Sequence, residues 1–356
     1  MKILLFGEFS GLHNNLKDGL MHLGHQVKIA AGMDGYKQIS NDLNLDSNLN
    51  GLVRMIDVRL KPFLKLHDMK GFDILQSINP FFPNAKYFPR KLFYLLLKRL
   101  NENFFILAAG SDAYYWKYGP RRLSYGPFKD TLKYDIKSTN YYMENRKAFL
   151  YNKKLIDLSH GIIPVMYDYE INYKENKKLL NTIPLPINLK KIDYKENKIG
   201  KKLVIFHGLS RYGFKGTRYV ESAFNELSKT YPNDLELIID GKLPIKEYLK
   251  IMQKADIVID QVNSHSSGMN ALYALAMGKV VLGGSEPIGF KSLGISSSPV
   301  INIKPSKESI IESIIKLIEE KSSIPQKGLS GRKFVEDVHC HIKVAAKYLK
   351  TWKASI

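Results

Sequence analysis

Residues Leu203 to Thr217 read LVIFHGLSRYGFKGT, an apolar run that meets three glycines and the cations Arg211 and Lys215. Such a run is a buried strand of a parallel sheet, and the loop that leaves its carboxyl end is where open parallel sheets bind ligands. Glycine there permits close backbone approach, Arg211 offers a forked donor, and Lys215 a compact charge suited to a diphosphate. Taken alone, a surface loop with two incidental cations explains the stretch at least as well. The flanking sequence has to decide.

Downstream, YVESAFNELSKTYP reads as an amphipathic helix stopped by proline, LELIIDG as a strand, PIKEYLKIMQKA as a helix and DIVIDQV as a strand. SSGMNALYALAMGK is then a helix and VVLGG a strand. This alternation predicts a doubly wound parallel sheet. The last helix opens on serines and Gly268, where free backbone N–H groups and the helix dipole attract a phosphate. Ala271, Ala274 and Ala276 suit close packing on a sheet, and Gly278 suits the helix end. A cationic strand loop and an anion-ready helix start in one sheet outweigh the incidental reading.

The first half repeats the logic: KILLFG is a strand, Leu16, Leu20 and Leu23 recur at helical spacing, and QVKIA begins the next strand. Further strands are predicted at LVRMIDV (52–58), FDILQSI, FFILAAG and within LIDLSHGIIPV, with a helix around 141–154. The Tyr-, Gly- and Pro-rich stretch from Ala113 to Asp130 reads as a long ordered loop. DYKENKIGKK (193–202) reads as a hinge. A chain of 356 residues suits two domains of roughly 150–200 residues each.

Several function classes recede on composition. Uninterrupted apolar runs are short, as in LFYLLL (92–97), and fall far below the roughly 20 residues that span a bilayer. Met1 leads directly into a strand pattern rather than a secretory signal, and Cys340 is the single cysteine, so a cytoplasmic protein is expected. The HCH at 339–341 is expected to be structural, because adjacent helical residues point apart. Net charge is +20, with 54 basic against 34 acidic residues. Such an excess favours nucleic acid, an anionic membrane surface or phosphorylated ligands, but no nucleic-acid-binding signature accompanies it. Between Arg54 and Arg99 ten basic residues face three acidic ones. Within that span PRKLFYLLLKRL (89–100) reads equally as a core helix with basic ends or as a helix lying on anionic lipid.

The chain resembles the GT-B glycosyltransferases, in particular their large retaining family that uses nucleotide sugars. SGLHNNLKDGLMHLGHQVKIA (10–30) is similar to that family's opening loop and helix, and AAGSDAY (108–114) to its His-Gly-Ser-Asp turn, with Ala109 at the histidine. FHGLSRYGFKGT, ADIVIDQ and GMNALYALAMGKVVLGG resemble the phosphate-binding and nucleotide-binding elements. The resemblance implies an α/β protein with the GT-B fold, two Rossmann-like doubly wound domains facing across a cleft. The acceptor-side domain would span 1–192, the nucleotide-sugar domain 200–334, and a C-terminal helix in 335–356 would pack back on the first domain.

It further implies that Arg211 and Lys215 hold the donor diphosphate and stabilise the leaving nucleotide. Gly208, Gly216, His265, Ser267, Gly268, Met269, Asn270, Tyr273 and Glu286 would complete the donor side, and Gly11, His13 and Asp112 the acceptor side. His265 and Tyr273 stand where the family has two glutamates, so donor preference and stereochemistry stay open. Inversion would need a base, for which Asp112, His13 and Glu8 are candidates, His13 foremost. Retention, which is favoured, would need chiefly positioning and leaving-group stabilisation. No cofactor and no metal are expected, because two cations can serve the diphosphate. The expected partners are a nucleotide sugar, a glycan or polyprenyl-diphosphate-linked acceptor of surface glycan assembly, and an anionic membrane surface. Nucleic acid ranks last. Rival readings are a sugar-nucleotide epimerase on the same architecture and a catalytically silent sugar-nucleotide binder.

Overall fold

The computed structural model describes residues 1–39 and 41–356. The first half holds β1 (Lys2–Phe6), β2 (Gln26–Ala31), β3 (Leu43–Asn44), β4 (Ile74–Ser77), β5 (Asn103–Ala108) and β6 (Gly161–Pro164). They form one sheet in the order β3-β2-β1-β4-β5-β6. The second half holds β7 (Leu203–Leu209), β8 (Leu235–Gly241), β9 (Ile257–Ile259), β10 (Val280–Gly283) and β11 (Ile301–Asn302), in the order β11-β10-β9-β7-β8. Every strand pairing within these sheets is parallel.

Burial explains the composition of the strands. β1 and β4 are central and buried on both faces, so β1 runs apolar from Ile3 to Phe6 without alternation, while β4 follows Ile74 and Leu75 with the buried polar pair Gln76 and Ser77. The register Leu4↔Leu75 and Ile205↔Ile257 sets apolar residue against apolar residue across each sheet. The helix Thr217–Thr230 buries Val220, Ala223, Phe224 and Leu227, one stripe at helical spacing.

Strand order reverses between β1 and β4 in the first sheet and between β7 and β9 in the second. The crevices beyond these two reversals are where doubly wound sheets accept ligands. The loops after β1, β4 and β5 and those after β7 and β9 contribute walls to one shared cleft.

Three expectations are corrected. Residues 52–58 belong to the helix Gly51–Leu64, not to a strand. The edge position beside β2 is taken by the two-residue β3, and Val53 and Ile56 stand exposed on the helix instead. Ala113–Arg122 is a helix despite its Gly and Pro, because Asp112 caps its N-terminus and Gly119 lets the Phe128 ring pack against it. The stretch 193–202 is irregular but docked: Asn197 is buried and donates to the Asp256 carbonyl, and Lys195 N–H donates to that of Met277.

The helix His341–Ala354 lies on Leu12–His22 of the first half. Gly19 permits this contact, since a Cβ there would fall 2.2 Å from the His341 carbonyl oxygen. HCH at 339–341 is part of the same junction. Ile187 N–H donates to the His339 carbonyl at 2.7 Å, and His341 N–H to that of Ile187 at 3.0 Å. Further along, the Trp352 indole donates to Gln76 Oε1 at 3.2 Å. Gly19→Ala should therefore cost about 1–3 kcal/mol, because backbone must shift to admit the methyl group. Urea denaturation measures this, and an unchanged midpoint would show that the helix is not seated there.

Candidate functional site

The cleft between the halves encloses about 510 Å³. Its floor on the second half is built by the loops after β7 and β9 and by the start of the helix Met269–Ala276, and it is lined by Arg211, Lys215, Asp260, Gln261, Gly268, Met269 and Asn270. Lys215 ends a single helical turn, Tyr212–Lys215, and Gly216 follows at φ 74°, the left-handed conformation that glycine adopts without strain. This reversal points the Lys215 side chain back toward β9. Its Nζ lies 3.0 Å from Asp260 Oδ1, and both groups are buried.

A buried ion pair persists only when geometry offsets desolvation, and here one valence remains open. Asp260 Oδ2 is buried without a hydrogen-bond partner, on the side facing Gly268, where a Cβ would come within 3.4 Å of it. Arg211 is exposed in the cleft, its guanidinium carbon 3.6 Å from the centre of the Phe214 ring. A buried cation, an exposed guanidinium, an unpartnered carboxylate oxygen and the free amides of a helix start thus converge on one wall.

Other residues from the sequence reading fall elsewhere. His13 does not line the cleft; it is wholly buried beneath β1 and β4. Its Nδ1 lies 2.7 Å from the Gly7 carbonyl oxygen and its Nε2 3.3 Å from Gln76 Nε2. The Trp352 indole can only donate, so it claims Gln76 Oε1 and leaves the Gln76 amide to donate to His13. Both imidazole nitrogens are thereby occupied, and burial lowers the pKa to about 3. His13 thus lies packed against the sheet and outside the cleft lining. Asp112 caps its helix, accepts from the Tyr173 hydroxyl at 2.6 Å, and has its pKa raised by burial to about 6. Glu8 is buried, with Asn14 bonded to Oε2 and nothing bonded to Oε1.

The two positions that stand for the family's glutamates join the halves. The Tyr273 hydroxyl donates to the Ser10 carbonyl at 3.1 Å, accepts from Asn15 Nδ2 at 3.0 Å, and abuts Gly11, where a Cβ would lie 2.5 Å away. Gly11 is therefore a contact for Tyr273 rather than part of the cleft wall. His265 stacks on Tyr125 at 4.1 Å, pairs through Nε2 with Ser124, and its N–H donates to Asp168. Glu286 accepts from Tyr125 and Asn302 and pairs with Lys304 at 2.7 Å; these partners outweigh its partial burial and hold its pKa near 2. Ser267 donates to the Gly284 carbonyl, and Gly208 faces Tyr248, whose hydroxyl a Cβ would meet at 1.8 Å. None of these lines the main cleft.

Several cleft residues escaped the sequence reading. Asp260 and Gln261 directly follow β9, a placement at the strand-order reversal that could have revealed them. Asp34 and Lys37, in the loop after β2, pair at 2.9 Å on the opposite wall, where Lys37 Nζ also donates to Ser10 Oγ at 2.5 Å. Asp135, from the first half, accepts the Gly213 and Phe214 amides at 3.0 and 2.8 Å and so occupies an anion-binding turn with an internal carboxylate.

No family model matches the chain, and no curated protein matches it in sequence. Solved structures do match. Sucrose-phosphate synthase from Thermosynechococcus elongatus aligns over 99% of both chains with a TM-score of 0.65 and 12% identity. The chain has the GT-B glycosyltransferase fold. HepE from Anabaena, in complex with UDP-glucose, aligns over 99% of this GT-B chain and 100% of its own, with a TM-score of 0.61 and 13% identity. A glycosyltransferase from Rickettsia africae covers 99% and 98% with a TM-score of 0.60 and 14% identity.

Two stability measurements test the site. Lys215→Met should cost about 3–5 kcal/mol by stranding the Asp260 charge, and adding Asp260→Leu should recover most of that loss; equal instability of the single and double variants would contradict the pairing. Glu8 has its pKa raised from the ordinary 4.5 to about 7, chiefly by burial. Between those values the folded chain keeps a proton that the unfolded chain has lost, so this group's contribution to stability falls as pH rises. Relative to the parent, Glu8→Gln should therefore gain on the order of 3 kcal/mol between pH 4 and pH 8. A difference independent of pH would contradict a carboxyl held protonated by burial.

Proposed function

We propose that this GT-B chain is a glycosyltransferase that moves a sugar from a nucleoside-diphosphate donor to a glycan or polyprenyl-diphosphate-linked acceptor. The observation that carries the reading is the convergence of Lys215, Arg211 and the Gly268 helix start at the strand-order reversal of the second sheet. It is supported by structural neighbours solved with UDP-glucose or UDP, HepE from Anabaena and MnaA from S. aureus. UDP-linked sugars are therefore the first donors to test.

In this reading the donor diphosphate lies against the helix start, where free amides and the dipole meet its charge. Lys215 and Arg211 receive the negative charge that builds on the leaving phosphate as its bond to the sugar breaks. Asp260 holds Lys215 in place, and its unpartnered Oδ2 accepts a donor hydroxyl. The two cations do the work that a divalent ion would otherwise supply, so the reaction is proposed to need neither metal nor cofactor.

Retention is the stereochemical outcome this reading favours. His13, Asp112 and Glu8 are buried away from the cleft, while Asp34 and Asp135 are engaged by Lys37 and by backbone amides. With no free base opposite the donor among the described residues, the acceptor oxygen attacks from the face the leaving group departs, and its proton passes to the departing phosphate oxygen. The interdomain use of Tyr273 and His265 supports a second reading, a donor-binding protein without turnover.

Arg211 is the clean probe, since it is exposed and its removal strands no buried partner. Arg211→Met should lower kcat/KM for transfer or donor hydrolysis roughly 10²–10³-fold while the fold persists. Calorimetry with UDP-glucose and other UDP-sugars, followed by nucleotide release, separates the readings. Binding with release supports transfer, binding without release under any acceptor supports the silent reading, and no binding of any nucleotide sugar refutes both.

A further inference from the structure

The helix Gly51–Leu64 carries an apolar surface that the fold leaves uncovered. Leu52, Ile56, Leu60 and Leu64 recur every four residues and are all exposed, Leu52 and Leu64 by 78% and 76%; Val53 and Met55 widen the row. The C-terminal part of this helix is anchored. Pro62 is buried, Phe63 packs on the rings of Phe88 and Phe93 at 5.7 and 5.2 Å, and Lys61 bonds to the Asp46 carbonyl. The first two turns, by contrast, project from the body with every residue from Gly51 to Ile56 exposed. The surface continues through Tyr87, 76% exposed, to Leu92 and Leu95 on the outer face of the helix Arg90–Arg99. That helix turns Phe93, Tyr94 and Leu97 inward, so it is a core helix with a second, outward apolar row.

Cations frame this surface. Arg54 and Arg59 lie on the projecting helix, Lys86 flanks Tyr87, and Lys91 and Arg99 flank the outward leucines. Arg59 donates to the Lys86 carbonyl at 2.9 Å and sits 5.7 Å from the Tyr87 ring centre. Asp57 and Asp68 are the acidic residues of the 51–70 segment, and Asp68 is paired with Lys65. Aliphatic tips interspersed with lysine and arginine, plus an interfacial tyrosine, match the composition of surfaces that enter the headgroup layer of an anionic bilayer. The apolar centre of a protein interface, by contrast, is depleted in lysine. The loop 79–87 joins this surface to the cleft, which it lines through Asn79, Phe81, Phe82 and Asn84.

We infer that the helix Gly51–Leu64, with Tyr87 and the Leu92 and Leu95 row, docks the chain on an anionic lipid bilayer and holds the mouth of the cleft at the headgroup level. The inference does not need the donor reading; it stands on exposure and charge alone. The full chain is tested by flotation with phosphatidylcholine vesicles and with vesicles that also contain phosphatidylglycerol. Recovery with the anionic vesicles is expected to be at least about tenfold higher and to fall with added salt. Leu52→Glu combined with Ile56→Glu changes only exposed side chains, and is expected to abolish flotation while circular dichroism and the thermal midpoint stay unchanged. Equal recovery from both vesicle types, or undiminished flotation of the double variant, overturns the inference. So does a stable dimer of the parent chain that the double variant dissolves, since a second copy would then be what covers this face.

Discussion

The cleft depends on one buried ion pair, Lys215 with Asp260, set where strand order reverses in the second sheet. A lysine removed from water must be matched by a fixed negative partner, and that partner must come from the neighbouring strand of the reversal. This requirement explains the local sequence. β7 has to lead into a turn tight enough to send Lys215 back over β9, which calls for Gly216 at positive φ, and β9 has to be followed at once by an aspartate. The unpartnered Asp260 oxygen and the helix start at Gly268 then follow from where β9 and the next helix meet.

Around this pair the two halves are joined by polar contacts. Asp130 and Asp135 reach from the first half to Arg218, Asn263 and the Gly213 and Phe214 amides, while Tyr273 and His265 reach in the other direction. The apolar core is also shared, since the helix Met269–Ala276 packs in one cluster with the first sheet. Asp135 is the most suggestive of these contacts, because its carboxylate fills an amide turn next to Arg211 that an anionic ligand would otherwise find open.

The sheets were legible because central strands such as β1, β5 and β9 are buried on both faces and read as apolar runs between helices of clear 3.6 period. Arg211, Lys215 and Gly268–Asn270 were legible because glycine and charge at a strand end constrain the backbone locally. His13, Asp112 and Glu8 fall outside the cleft lining for a common reason: polar residues at the ends of the first sheet's strands look like cleft residues, and only tertiary packing shows them capped or buried. The partner that engages His13 through Gln76 is Trp352, more than 300 residues away, and no local pattern could announce it. The helix Gly51–Leu64 was missed because its apolar residues have no core to face, so the usual link between periodicity and burial fails there.

The central claim is that the ion pair and the helix start form a diphosphate site. Its most direct test is a crystal structure of the chain with UDP. The account predicts diphosphate oxygens within about 3 Å of Lys215 Nζ and of backbone amides at the Gly268 helix start, with Arg211 folded over them. A nucleotide bound elsewhere, or a diphosphate that leaves Lys215 in contact with Asp260 alone, would contradict it.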